Sequence, residues 1–561
     1  MGEYKFVKRT LTILICLLGL ISNTFANTHY VSTTGADTGN GTFAAPWATP
    51  GYGSKEMLGG DTLIIRGGQY TLSTYWDDMI TPPSGTINNW TVIKGDSGVI
   101  LQGRNNLSSA IEITDKSYIV IENLEITNLG GQNFREGVNC YGLIAHCVLR
   151  NLYIHHLDEF GMDIQDASDL NITNCTISYC GFGSIGGPTG VQGGWRNVVV
   201  ESCTLSYSGH YYQGGPGPSP YDRPDGFGIE PSSGPIEIAN TVSMHNRGDG
   251  LDSKVESTYI HNCIVANNSC DGLKLWGTGT RVENVLVYGR GDGNATQTPW
   301  TSLVIADMPD SGARFELVNV TIHDVNVDGS YPSYMGYEQT VPMEIMLRNV
   351  IIEGNGSPVF VGEHINLIMD HSLIYISGNS EQLEVGGTSY DSTDMETGVL
   401  GSGNLCRAPL FKSPAWGSDG NYHLQVGSPA INSGTSLDVP AFDLEYFGRP
   451  YGSAYDMGCY EYHPVSVEEN AKIKNQISKL KILKNPFFSS TSIRYSVPEY
   501  TNTRLTIHDL TGRTIKTIVN GKKEAGNYTV GLDGKELSAG IYFVRFVVGD
   551  YKETHKLILV K

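Results

Sequence analysis

The feature that most narrows the fold is a recurring asparagine followed by alternating apolar residues. It stands at Asn123, Asn151, Asn174, Asn240, Asn262, Asn284, Asn319 and Asn349, with Ser202 and His371 in the equivalent place. Successive anchors lie between 22 and 38 residues apart, and 22 recurs. A fixed minimum with longer exceptions marks a solenoid in which some coils have grown loops. Each repeat reads as short β segments, as in Asn171-Ile172-Thr173-Asn174-Cys175-Thr176-Ile177. A leucine-rich repeat has similar length, but its helix pattern and leucine spacing are missing. Stacked side-chain amides can bond turn backbone above and below, which suits asparagine in a ladder. The sequence therefore predicts an all-β chain whose body is a right-handed parallel β-helix, and 68 glycines in 561 residues agree with a turn-rich chain.

Three segments inside that body share one shape: Asp225-Gly226-Phe227-Gly228-Ile229-Glu230, Asp249-Gly250-Leu251-Asp252-Ser253-Lys254 and Asp271-Gly272-Leu273-Lys274-Leu275-Trp276. Aligned on their Asp-Gly pairs, they form three rungs of a parallel sheet. Strand alternation sends Phe227, Leu251 and Leu273 to one face, and Gly228, Asp252 and Lys274 to the other. Asp225, Asp249 and Asp271 make a column of acids beside them. Longer inserts at residues 207–224, 289–301 and 328–342 are expected to wall a groove over these rungs, their tyrosines stacking on a ligand or on one another. His155 and His156 fall on a distant coil and are read as structural.

The first 26 residues carry Lys5, Lys8 and Arg9, an apolar run and then Thr24-Phe25-Ala26, the pattern of a cleaved secretory signal. No later stretch is long and apolar enough to cross a bilayer. The formal charge is −20, unevenly spread: residues 471–561 hold 16 Lys and Arg against 7 Asp and Glu, and residues 1–26 a net +2, leaving −31 on the body. Such a body repels nucleic acid and anionic membranes, and would repel an anionic polysaccharide unless a divalent cation bridged them. Of ten cysteines, Cys16 leaves with the signal. No CxxC pair suggests zinc, and Cys175, Cys203 and Cys263 share one repeat position, as a stack of interior thiols would. A Cys175–Cys180 bridge is the alternative.

The text from His29-Tyr30-Val31-Ser32 through Gly60-Asp61-Thr62-Leu63-Ile64-Ile65 resembles the N-terminal cap and first coil of secreted parallel β-helices. From about Asn404 the repeat fades into Ser428-Pro429-Ala430-Ile431-Asn432 and Asp456-Met457-Gly458-Cys459-Tyr460, which resembles a module that closes such helices. The last 80 or so residues alternate like strands of a small β-sandwich. Asn485-Pro486-Phe487, Asp509-Leu510-Thr511-Gly512-Arg513, Ala539-Gly540-Ile541-Tyr542 and the final strand resemble the type IX secretion sorting domain. That resemblance implies export by the type IX machinery, then release or surface attachment. The expected plan is a signal at 1–26, the β-helix at 27–403, its cap at 404–466, a linker at 467–479 and the sorting domain at 480–561, acting as a monomer.

The three rungs resemble those of the family-nine pectate lyases, which carry an Asp-Gly-Phe rung, an Asp-Gly-x-Asp rung and a rung ending Gly-Phe-Lys-Leu-Gly-Gly, where this chain has Gly272-Leu273-Lys274-Leu275-Trp276-Gly277. The resemblance implies that Asp225, Asp249 and Asp252 bind calcium and that Lys274 is the catalytic base in β-elimination of an anionic, pectate-like polysaccharide. The family has two adjacent acids where this chain has Gly248 and Asp249, so Asp271 or Glu230 is the candidate replacement ligand. Arg247, Arg281 and Arg290 are candidates for binding the anionic chain, and Trp276 for stacking on it. Two other classes stay open: a glycoside hydrolase pairing Asp249 with Asp225 or Asp252, and a glycan-binding surface protein without a base.

Overall fold

The computed structural model describes residues 26–463, apart from 129–133, 217–222, 291–300, 307–311, 326–330 and 338, and residues 480–559 with short breaks. The signal at 1–25, the linker at 467–479 and the Asn485-Pro486-Phe487 and Asp509–Gly512 motifs lie outside the described residues. Two units form, residues 1–462 and 463–561.

The first unit is a parallel β-helix with three strand-bearing faces. One face is a 12-stranded sheet in strict chain order, from Gly68–Leu72 to Leu373–Ser377. The other two faces are ladders joined into one 23-stranded sheet, because Phe134–Arg150 and Phe160–Thr173 each run through both. Every coil sends alternate residues inward. Phe227, Leu251, Leu273 and Leu303 stand in register and are wholly buried. Stacking apolar rows of this kind buries about 25 cal/mol of stabilisation per Å² of apolar surface, and no single coil can bury its own row.

The asparagine anchors have a backbone cause. All ten positions, from Asn123 (φ 62°) through Ser202 (58°) and Asn349 (53°) to His371 (48°), are left-handed. Asparagine tolerates that conformation better than most residues. The amide ladder is present as well: Asn151 donates to Asn123 at 3.1 Å, Asn284 to Asn262 at 3.1 Å and Asn349 to Asn319 at 3.3 Å. A second left-handed row holds His156, Tyr179, Tyr207 and His245, whose rings stack at 4.8, 4.8 and 5.1 Å. His155 sits beside that stack, its Nδ1 2.7 Å from Nδ1 of His156.

The C-terminal end of the coil stack is closed by residues 383–396. At the C-terminal end, Leu383–Val385 turns back on Thr388–Tyr390, and the capped helix Ser392–Glu396 inserts Met395 into the core. The segment expected to plug that end instead runs along the side of the coils. Asn284 donates to the Phe442 carbonyl, Asn319 to those of Asp456 and Gly458, and Asn349 to that of Thr435. Arg449, buried against Glu461 at 2.8 Å, donates to the side-chain Oδ1 of Asn284 at 3.3 Å. The physical reason is the anchor row itself, whose outermost amides need partners. The cysteine expectation divides. Cys175, Cys203 and Cys263 are interior thiols, but Cys175 and Cys180 are both free. They flank one extended strand, Thr176–Cys180, which holds them far beyond bridging distance.

The second unit has a three-stranded antiparallel sheet (Lys481–Ile482, Ser490–Val497, Gly526–Asp533) and a four-stranded one (Thr514–Lys523, Thr501–His508, Gly540–Val548, Tyr551–Leu559). Ile493 and Tyr495 from the first meet Leu505, Val544 and Phe546 from the second in one core, which is a β-sandwich.

Candidate active site

The three rungs pair as their sequences imply: Gly228, Asp252 and Lys274 are direct neighbours on consecutive strands. The acid column is tied to the coil stack by its own backbone. Asp225 Oδ1 accepts the Asp249 amide at 2.6 Å, Asp249 Oδ1 the Asp271 amide at 2.8 Å, and Asp271 Oδ1 the Thr301 amide at 2.8 Å. Each carboxylate thus spends one oxygen as a turn acceptor, and Asp249 turns the other toward Lys274. Lys274 Nζ lies 3.1 Å from Asp249 Oδ2 and 3.3 Å from Asp252 Oδ2. Lys254, one rung below, bonds Glu230 at 2.7 Å, lies 3.6 Å from Asp252 Oδ2 and sits 6.0 Å over the Trp276 ring.

Asp225, Glu230, Asp249, Asp252, Lys254 and Lys274 line a groove on the outer face of the sheet, with Phe160, Asp163 and Phe182 further along it. Its floor between them is glycine: Gly183, Gly186, Gly187 and Gly228. Burial raises Asp225 well above the carboxylate range, and Asp249 and Asp252 push it further the same way. Asp252 is raised to about 6, chiefly by burial, with Lys274 opposing. Burial presses Lys274 down, but Asp249, Asp252 and Asp271 outweigh it and hold the amine above the ordinary lysine value.

The donor set fits a hard cation. Oxygens of Asp225, Asp249 and Asp252 lie within 4.8 Å of one another, and Asp252 Oδ1 is buried with no hydrogen-bond partner. Three mutually repelling carboxylates with a spare oxygen are what calcium neutralises. The position before Asp249 has no room for another acid. A Cβ on Gly248 would meet Asp225 Oδ1 at 2.3 Å and the Arg223 carbonyl carbon at 2.7 Å. Asp271, whose Oδ1 holds Thr301, falls outside the cluster, and Glu230 is engaged by Lys254.

The expected carbohydrate-binding residues do not converge on the groove. Arg290 is the clear correction: its side chain is fully buried in a two-pronged pair with Asp324, at 2.7 and 3.2 Å, so no polymer can touch it. Arg281 lies in a separate depression, where it binds Glu283, Glu316 and Asp438 at 3.0, 2.7 and 3.0 Å. Arg247 is half-buried beside Gly209 and lines no part of the groove. Trp276 packs its half-buried ring against the core and meets the site only through Lys254. Residues that sequence reasoning passed over do line it: Lys254, Arg223, Phe160, Phe182 and Asp163. The register could have found Asp163, since Asp163, Gly186, Gly228 and Asp252 form one row. The long intervening inserts concealed it.

Residues 29–294 match a family described as the Pel9A-like, right-handed β-helix region, and residues 481–561 match the secretion system C-terminal sorting domain. The chain joins a Pel9A-like right-handed β-helix to a secretion sorting domain. The Pel9A-like region holds all three rungs and the whole groove. Solved structures similar to it include pectate lyase Pel9A (16% identity, 78% of this chain and 96% of that one, TM-score 0.43). XylC in complex with xylose is another (10%, 90% and 100%, TM-score 0.45). A third is the A-module of the Azotobacter vinelandii mannuronan C-5 epimerase AlgE6 (13%, 63% and 92%, TM-score 0.40). No curated protein sequence matches the chain. The sorting domain directs the protein out of the cell or to its surface. No helix among the described residues is long and apolar enough to cross a membrane.

Proposed function

We propose that this protein is a polysaccharide lyase that cleaves a uronate-containing, pectate-like chain by β-elimination, with Lys274 as base and calcium as its cofactor. The observation that carries the reading is the position of Lys274 Nζ, 3.1 and 3.3 Å from two acids of a three-carboxylate cluster, on an accessible groove. Asp225, Asp249 and Asp252 would hold the ion. Bound calcium would supply positive charge that neutralises a uronate carboxylate, acidifies its C5 proton and offsets the carboxylates that keep Lys274 protonated. Lys274 takes the C5 proton, the electron pair forms the C4–C5 double bond and the C4 oxygen leaves. Lys254 and Arg223 are the remaining groove cations for orienting the polyanion, and Phe160 and Phe182 offer stacking faces.

A glycoside hydrolase is a poorer fit. Its two carboxylates stand at least about 5 Å apart to admit a sugar or water between them, whereas here the oxygens fall within 4.8 Å and a lysine bridges two of the acids. The deciding experiment is an ultraviolet assay on a panel of uronans, with calcium and with chelator, using wild type and Lys274→Ala. An absorbing unsaturated end that needs both calcium and Lys274 is expected. New reducing ends without absorbance would reassign the protein to hydrolysis, and calcium-dependent binding without turnover would make it a glycan-binding protein.

A further inference from the structure

Three rungs from the acid cluster, the same groove has a second polar end that elimination does not use. Asp163 occupies the row of Asp252, separated from it by Gly186 and Gly228. At the spacing of paired strands that is about 14 Å, the reach of a short oligosaccharide. Asp163 is 6% exposed, lines the groove, and has a buried Oδ1 without a hydrogen-bond partner. Its neighbour on the preceding strand, Asn139, is 2% exposed and also has an unpartnered side-chain oxygen. Behind them, buried Glu136 accepts from the Asn139 amide, and the Tyr141 hydroxyl lies 3.5 Å from its other oxygen. Arg135, the nearest cation, is committed to Glu159 at 2.6 and 2.8 Å. Between the two ends, Phe160 lies flat on the glycine floor. A Cβ on Gly186 or Gly183 would come within 2.5 or 2.8 Å of its ring.

Buried acceptors without donors are costly, and a ligand that brings donors relieves them. Asp163 brings such an oxygen to the groove, with Asn139 behind it and the Tyr141 hydroxyl the protein donor beside it, and the open acceptor calls for a hydroxyl group. A uronate carboxylate brings an acceptor and a second negative charge, and meets Asp163, Glu159 and Glu136, whose nearest described cation, Arg135, already pairs with Glu159. Burial already pushes Glu136 up to about 8 and Asp163 to about 6, so this end takes up protons before it tolerates more negative charge.

We propose that Asp163 and Asn139, positioned by Glu136, form a second saccharide subsite that takes an uncharged sugar by its hydroxyls. The substrate is then a mixed polymer, with a neutral residue a few units along from the uronate at the Asp225–Asp249–Asp252 cluster. This specificity rests on the lyase reading, but the subsite itself can be tested apart from turnover.

The test is calorimetric binding to the full chain of two probes. One is a hexamer of galacturonate, and the other is the same hexamer with about half its carboxyls reduced to primary alcohols. Wild type should bind the part-reduced probe about tenfold more tightly. Asp163→Ala should erase that preference. Asp163→Asn, which keeps the shape and removes the charge, should narrow it by tightening the fully charged probe, a change that a merely structural residue would not produce. Equal affinities in wild type, or a preference that survives both variants with unaltered melting temperature, overturns the subsite. Ultraviolet-absorbing product without probe preference sinks the subsite and leaves the lyase reading standing. Preference without any product does the reverse.

Discussion

Replacing Lys274 with methionine isolates the electrostatics of the site. The amine is 18% exposed and bridges two acids that are 3% and 5% exposed. Breaking a buried charge pair by removing one partner costs about 3–5 kcal/mol. The partial exposure of Lys274 reduces this to about 2–3 kcal/mol at pH 8. The sign with pH follows from the directions of the shifts. Lys274 is raised in the fold, so its contribution is present below the ordinary lysine value of 10.5 and lost only as pH climbs through the folded value. Asp225 and Asp252 are also raised, so their ionisation burdens the fold as pH rises above about 4, through about 6 for Asp252. Without the amine that burden grows, and protonation relieves it. The Lys274→Met deficit should therefore be small at pH 4.5 and reach its full size by pH 8. Calcium should narrow it, because a saturating cation adds about 2.7 kcal/mol at a hundred times its Kd and replaces the missing positive charge. Urea unfolding at both pH values, with calcium and with chelator, measures all four differences. A deficit that is equal at the two pH values and indifferent to calcium would refute the argument that the acids form one cation site with Lys274.

Other outcomes follow from single contacts. Glu136 is raised to about 8, first by burial, so the stability it lends is complete below about 4.5 and is lost as pH rises through 8. Glu136→Gln should flatten the fall in melting temperature between pH 5 and 8.5, and an unchanged slope would show that the carboxyl is not held neutral. Arg290→Met removes the guanidinium from buried Asp324, leaving its carboxylate the Ser302 donors at 3.1 and 2.9 Å, and should lower stability by about 3–5 kcal/mol while the folded protein binds uronan as before; weakened binding at unchanged melting temperature would restore Arg290 to the substrate site. Gly248→Ala drives a methyl against Asp225 Oδ1 and should abolish most of the calcium-induced rise in melting temperature, checked by calorimetry.

Much of the fold was legible because a solenoid repeats its constraints. Each left-handed turn demanded a residue that tolerates it, so Asn123 through His371 marked the coils before any strand was drawn. The register of Gly228, Asp252 and Lys274 followed from alternation alone. What escaped were contacts between residues far apart in sequence. Arg290 reads as a cation beside the rungs, but Asp324, 34 residues on, turns it inward. Arg281 is drawn off partly by Asp438, 157 residues away. Asp163 joins the row across two intervening coils whose glycines, Gly186 and Gly228, carry no polar signal. Residues 404–466 resemble a module that closes such helices, and the outward amides and the apolar flank of the coils explain where they go.

That flank has a consequence for how the protein is made. Ribosomes deliver the coils first and the strip that laces Asn284, Asn319 and Asn349 last. Until residue 458 has emerged, the middle turns are a jacket with its fastening still missing. A fragment that keeps the coils but stops before the strip would expose those amides together with the apolar flank formed by Ile351, Leu373 and Leu286. A portion fit for expression on its own should therefore run through residue 462, and versions that keep the coils but lack the strip should aggregate even with every groove residue intact.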